Sequence, residues 1–270
     1  DRVLDPKEPL NAELRTGVSL CTDYLVFDVT QPPFDDVKVR QAFSMAFDRQ
    51  KYINVVLHGA ALPAKGLYPP ALPGYNPNLK GLPYDVEEAR KLLSESKYGG
   101  ADKLPAITFS QSGTGYYVNL DTAALVQMWQ DALGVTINIE SLDSNNYYDQ
   151  ISKGNHGQIF SGGWCADYPD PENFADVLFH SDAESNHGNY SNPELDAILE
   201  QARTEQDVDK RIQLYQQAEQ IIVDDAPVLF TSHGLSYVVV KPYIKGYVLT
   251  PMNMPIERYL SIDPTLLPAN

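Results

Sequence analysis

Cysteine is scarce in this chain. Cys21 and Cys165 are the only two, and they lie far apart. The five histidines do not gather around them. A structural zinc site needs about four such ligands, usually in close pairs, so zinc chemistry has no footing here. Positive charge is also short. Lys and Arg together number 20 against 36 Asp and Glu, a net charge of −16. Phosphate backbones and anionic lipid surfaces are gripped by clustered positive charge, which argues against nucleic acid or such a membrane surface as partner. No apolar run approaches the roughly 18 residues that a membrane-crossing helix requires. A basic segment followed by an apolar one is missing at the start, so no signal peptide is expected. The first residue is Asp1 rather than Met, which suggests a processed product or an excised piece.

What is present is ample for a folded domain. Hydrophobic residues make up 43% of 270, enough to bury a core in one or two domains. Residues 1–20 carry two prolines and scattered charge and read as a lead-in. Cys21 to Val29 is apolar and rich in β-formers, so a strand. After Pro32-Pro33, Asp35 or Asp36 caps a helix. Its apolar positions Val39, Ala42, Phe43, Ala46, Phe47, Ile53, Val56 and Leu57 predict about five continuous turns, ended at His58-Gly59. Residues 59–84 hold six prolines and four glycines and predict no regular element. Asp85 then opens a short amphipathic helix through Leu93.

Residues 105–140 have the pattern of a βαβ unit. Ile107–Phe109 is a strand, Ser110 to Gly115 a turn, Val118 to Leu133 a helix ended by Gly134, and Val135–Ile139 a second, parallel strand. The Gly113-Thr114-Gly115 turn lacks the Lys of a P-loop and the third glycine of a dinucleotide fingerprint. Beyond it the pattern predicts a helix at Tyr147–Ser152, a strand at Gln158–Phe160, a loop over 162–171, and helices opened by Asn192-Pro193 and by Asp207. Three late strands are expected at 228–230, 235–240 and 246–250. Strands alternating with helices indicate an α/β or mixed α+β lobe, with a mixed sheet and flanking helices.

Catalytic patterns are weak. Ser232 and His233 are adjacent in sequence, which does not let a histidine orient a serine, and no Gly-x-Ser-x-Gly occurs. Asp167 and Asp170 are too close along one Pro-rich loop to flank a bond. With Glu172 and Asp176 they make an acidic stretch without calcium-loop spacing, and Asp170 is expected on the solvated side of the turn. The densest feature is Gly162-Gly163-Trp164 followed by Asp167. Glycines admit close backbone approach, the indole offers a flat face, and the carboxylate suits an organic cation.

Four stretches carry a resemblance. They are Pro33-Phe34-Asp35-Asp36-Val37-Lys38-Val39-Arg40-Gln41-Ala42-Phe43, Tyr84 to Leu93, Gly163-Trp164-Cys165-Ala166-Asp167-Tyr168-Pro169-Asp170-Pro171-Glu172-Asn173-Phe174, and Tyr190-Ser191-Asn192-Pro193-Glu194-Leu195-Asp196. In order and spacing they resemble the family 5 extracellular solute-binding proteins, the peptide-binding components of ABC importers. The match covers residues 18–262.

The resemblance implies the second lobe of a two-lobed periplasmic-binding-protein-like fold. Residues 1–20 would be the hinge strand from the other lobe, 21–255 the ligand-binding lobe, and 256–270 the return segment. It implies oligopeptide capture outside the cytoplasm, in the periplasm or at the outer membrane face through a lipid anchor. A monomer working with membrane permease subunits is implied, with no cofactor, metal or catalysis. Asp167 would hold the ligand's α-amino group. Trp164, Gly163, Cys165, Ala166 and Tyr24 would line the same site. Cys21 and Cys165 would form a disulfide, as in some members with a cysteine at both places. No Arg or Lys lies between Gln158 and Gly163, where some members hold a ligand carboxylate. The alternative within the family is a non-peptide solute: an oligosaccharide, an opine or a metal complex.

Overall fold

A computed structural model of the chain describes residues 2–113, 117–252, 254 and 257–267. Thr114 and Gly115 of the expected turn, and parts of 256–270, lie outside the described residues. The first strand, β1 (Leu14–Phe27), starts seven residues before Cys21. The expected five-turn helix is two. Helix α1 (Val37–Met45) is capped by the Asp36 side chain on Lys38 N–H, and α2 (Arg49–Val55) by Asp48 on Lys51 N–H. A single apolar stripe runs through both, but Asp48 restarts the backbone hydrogen bonding. The Pro-rich segment does contain a ladder strand, β2 (Ala61–Pro63), on the sheet edge where proline is tolerated.

Helix α3 (Val86–Glu95) is capped by Asp85 as expected. The βαβ unit is β3 (Ile107–Gly113), α4 (Leu120–Leu133) and β4 (Ile137–Asp143), and the two strands are parallel. Gly134 ends α4 at φ 74°, the left-handed conformation glycine adopts without strain. Next come α5 (Tyr147–Ser152) and β5 (Ile159–Cys165). Strand β5 therefore includes Gly162 to Cys165, which the sequence reads as loop. Helix α6 (Glu172–Phe179) was not expected. Helix α7 (Pro193–Thr204) has Asn192 as cap and Pro193 in its first turn, and α8 (Val208–Asp225) is capped by Asp207. The first two late strands fuse into one, β6 (Val228–Val239). The third is replaced by a separate ribbon of β7 (Ile244–Lys245) and β8 (Ser261–Ile262). No helix among the described residues is long and apolar enough to cross a membrane.

The main sheet has the order β2-β6-β1-β5-β3-β4, with β1 antiparallel to both β5 and β6. Side-chain alternation along β1 and β5 separates two cores. On one face Leu20, Tyr24, Val26 and Phe160 pack with Phe174, Leu195, Tyr215 and Ile222 of α6, α7 and α8. On the other, Leu25, Phe27 and Ile159 pack with Phe43, Leu93 and Trp129 of α1, α3 and α4. The Trp129 indole donates to the Phe43 carbonyl at 2.8 Å, satisfying its one polar atom.

The Pro-rich segment is strapped to the first core. Thr22 Oγ1 donates to the Leu67 carbonyl at 2.9 Å and meets His233 Nδ1 at 2.9 Å. Burial pushes His233 down to about 4, so its ring is neutral at pH 7. Tyr68 N–H donates to Glu219 Oε1 at 2.9 Å, while Glu219 Oε2 is buried without a partner among the described residues.

Cys21 and Cys165 face each other across β1 and β5 and form a disulfide, with Cα atoms 4.0 Å apart. Titration of the unfolded, unreduced protein should therefore find no free thiol, and two thiols would contradict the bridge. Removing it closes no 144-residue loop in the unfolded chain and should cost at most about 5 kcal/mol in denaturant unfolding. Burial raises Glu219 to about 7 from 4.5 despite the opposing Tyr68 and Leu67 backbone bonds. The neutral carboxyl thus stabilises the fold fully below about pH 4.5, and that contribution is lost as pH rises through about 7. Glu219→Gln should then match the parent near pH 4.5 and exceed it at pH 8 by up to about 3 kcal/mol. A gain independent of pH would contradict this.

Candidate ligand cleft

Strand β5 is held on one side only over its last residues. Strand β3 pairs with it at Ile159 and Phe160, and no further pairing along that edge occurs among the described residues. The other edge pairs with β1 to Cys165. Ala166 N–H bonds the Leu20 carbonyl at 2.8 Å and Asp28 N–H the Gln158 carbonyl at 3.0 Å. Antiparallel pairs alternate between bonded and non-bonded. Residues 160, 162 and 164 therefore bond β1, and 161, 163 and 165 turn their N–H and C=O groups the other way. The Tyr147 hydroxyl takes the Ser161 carbonyl at 2.9 Å. Gly163 and Cys165 are left facing an open edge.

Below that edge lies a pocket of about 110 Å³. Tyr24, Phe160, Trp164, Tyr148, Tyr190 and His187 are among its walls, and no Asp, Glu, Lys or Arg is. Gly162 permits the packing: a Cβ there would sit 2.8 Å from the Tyr24 ring. Burial pushes the Tyr24 hydroxyl well above its usual range, so it stays neutral. Of the expected site residues, Tyr24, Gly163 and Trp164 line this pocket. Cys165, Ala166 and Asp167 continue the strand beyond its walls.

Asn173 organises the end of the strand, a role the sequence reading missed although the residue stands inside the quoted motif. It is 2% exposed in the first turn of α6. Its Oδ1 accepts the Trp164 indole N–H at 3.1 Å and the Asp167 backbone N–H at 2.9 Å. Its Nδ2 lies 3.5 Å from Asp167 Oδ2. One buried amide thus fixes both the indole and the exposed carboxylate.

Asp170 corrects the expectation of a solvated bystander. Both its oxygens take Arg211 guanidinium N–H groups at 2.8 Å, and Oδ1 also accepts Glu172 N–H at 2.9 Å. Burial opposes its charge, but Arg211 and the backbone bond outweigh that and hold the carboxyl below its usual range. Asp176 is likewise paired with Arg203. Ser232 and His233 point to different partners, Asp23 and Thr22, and do not meet as a pair.

The model of bacterial extracellular solute-binding proteins, family 5, matches residues 3–186. The chain belongs to that family. Its members are binding proteins rather than enzymes. The dipeptide-binding protein of Escherichia coli K12 is 32% identical over 263 residues, covering 95% of this chain and 48% of that protein. Heme-binding protein A of Haemophilus influenzae is 31% identical over 268 residues, covering 96% and 47%. The solved murein tripeptide binding protein MppA of Escherichia coli superposes with a TM-score of 0.79 at 27% identity, covering 96% and 51%. The chain thus spans about half the length of the relatives it matches.

The Asp170–Arg211 clamp gives a contrast between neighbouring carboxylates. Asp170→Ala should lower unfolding free energy by about 1–3 kcal/mol, because it strips a partly buried guanidinium of its partner. Asp167→Ala, at an exposed position, should change it by no more than about 0.5 kcal/mol. Denaturant unfolding compares them, and equal losses would contradict the assignment.

Proposed function

We propose that this chain is the ligand-capturing half of an extracytoplasmic oligopeptide-binding protein that delivers to the permease subunits of an ABC importer. The observation that carries the reading is the open edge of β5, with the exposed Asp167 two residues past its end. An extended peptide can add to such an edge through its main chain, independent of side-chain identity. Gly163 and Cys165 supply alternate donor and acceptor pairs. Asp167 then receives the ligand's α-amino group, since an ammonium enclosed in a cleft requires a carboxylate. The uncharged, aromatic-walled pocket takes an apolar side chain. The protein works as a monomer.

In this reading residues 21–255 form one wall, and 1–20 and 256–270 lead to a second lobe that closes over the ligand. The coverage of about half of each relative supports it. Enclosure excludes water and strengthens each polar contact. The chain alone offers one wall, so the exposed Asp167 pair would contribute about 1 kcal/mol or less. A non-peptide solute is the second reading. The apolar pocket and the relative named as heme-binding favour it.

Titration calorimetry on the two-lobed protein separates the readings. Asp167→Ala should weaken a free-amine peptide by about thirtyfold or more, the low end of the about 2–5 kcal/mol lost when an enclosed charge pair is truncated. N-acetylating the peptide should weaken the parent to a similar degree and the variant hardly further. No effect of either change removes Asp167 from the amine role. Tight binding of an apolar solute with none for peptides would establish the second reading.

A further inference from the structure

The geometry points to Asp23 as a second carboxylate of the cleft, one that selects a cationic side chain on an interior residue of the bound peptide. This rests on the reading of β5 as the strand to which the ligand adds.

Asp23 on β1 stands opposite Gly163 on β5. By the same alternation this is a non-bonded pair, the kind in which facing side chains come closest. Both residues belong to the sheet face that carries Cys21 and Cys165, away from the aromatic pocket. Gly163 brings no side chain to that face. A Cβ on residue 163 would lie 3.0 Å from Asp23 Oδ1. The carboxylate therefore occupies the place a side chain at 163 would take, beside the backbone groups of the open edge.

Its two oxygens are unequally served. Oδ2 accepts the Ser232 hydroxyl at 3.0 Å, and the Asp23 carbonyl accepts Thr231 Oγ1 at 2.9 Å, so both the backbone and one oxygen are fixed. Among the described residues, Oδ1 has no hydrogen-bond donor, and no Lys or Arg pairs with Asp23. Burial pushes this carboxyl up, and the Ser232 bond offsets only part of that. Asp23 is exposed at the open edge, with one oxygen held by Ser232 and the other free to take a charged donor from a strand laid beside it. A Lys or Arg side chain on the ligand strand, turned to this face, supplies one. Gly163 precedes Asp167 by four residues, roughly 13 Å of extended chain. A peptide anchored by its amino group at Asp167 thus presents a residue about four places in to Asp23.

The test uses alanine-based peptides with a free amino terminus, titrated into the two-lobed protein. A single Lys, or its uncharged counterpart norleucine, is moved through the interior positions. At one position the parent should bind the Lys peptide about tenfold tighter than the norleucine peptide, the scale of a partly enclosed charge pair. Asp23→Asn should remove that preference and leave norleucine affinity within about twofold, which also shows that the variant folds. Ser232→Ala keeps the charge but frees the carboxylate, and should reduce the preference a few-fold; it decides the matter if Asp23→Asn does not fold. A Lys preference unchanged in these variants overturns the proposal. So does its absence from the parent while Asp167→Ala still weakens binding, which leaves the amine anchor standing. If no peptide binds the parent, both readings fall together.

Discussion

The pairing of β1 with β5 is the constraint on which the cleft depends. One register decides four things at once. It aligns Cys21 with Cys165 for the disulfide and sets Tyr24 over the bare Gly162. It also turns the Gly163 and Cys165 backbone groups outward and places Asp23 beside Gly163. A slip of one residue would exchange the two faces, sending Tyr24 and Trp164 to the side of the disulfide. Two buried cores, one on each face, make that slip prohibitive. The covalent bridge locks the end of the strand pair where β5 stops, between Leu20 of the first core and the flanking Trp164 and Ala166.

The open end of β5 is braced from outside itself. Helix α6 begins where β5 has ended, and its buried Asn173 reaches back to the indole and the loop. Asp170 accepts the first N–H of that helix, from Glu172, and is clamped by Arg211 of α8. Asp167 is left exposed, while its neighbour three residues on is committed to structure. Two acidic residues in one motif differ in setting because, among the described residues, only Asp170 is paired with a cation.

Much of this was legible locally. Asp36, Asp85, Asn192-Pro193 and Asp207 announce helix starts because capping is chemistry within one turn. The parallel βαβ unit follows from strand, helix and Gly134 in sequence. The indole of the aromatic-carboxylate stretch does line a pocket, as its residue type suggested, although its carboxylate lies outside the pocket walls. What escaped was set by distant partners. Asp48 divides a helix whose apolar stripe runs on unbroken. Gly162-Gly163 reads as loop, yet becomes strand because β1 is there to pair with it. Ala61–Pro63 is strand only because β6 offers an edge. The separate roles of Asp167, Asp170 and Asp23 depend on Asn173, Arg211 and Gly163, none adjacent to its partner in the chain.

The central claim is that an amine-bearing extended ligand adds to the free edge of β5 and ends at Asp167. A crystal structure of the two-lobed protein with the ligand that co-purifies from its host tests this most directly. The account predicts ligand main-chain hydrogen bonds to Gly163 and Cys165, and a primary ammonium within hydrogen-bond distance of the Asp167 carboxylate. A ligand seated elsewhere, or one in this cleft that leaves the β5 edge unpaired and Asp167 in solvent, would contradict it.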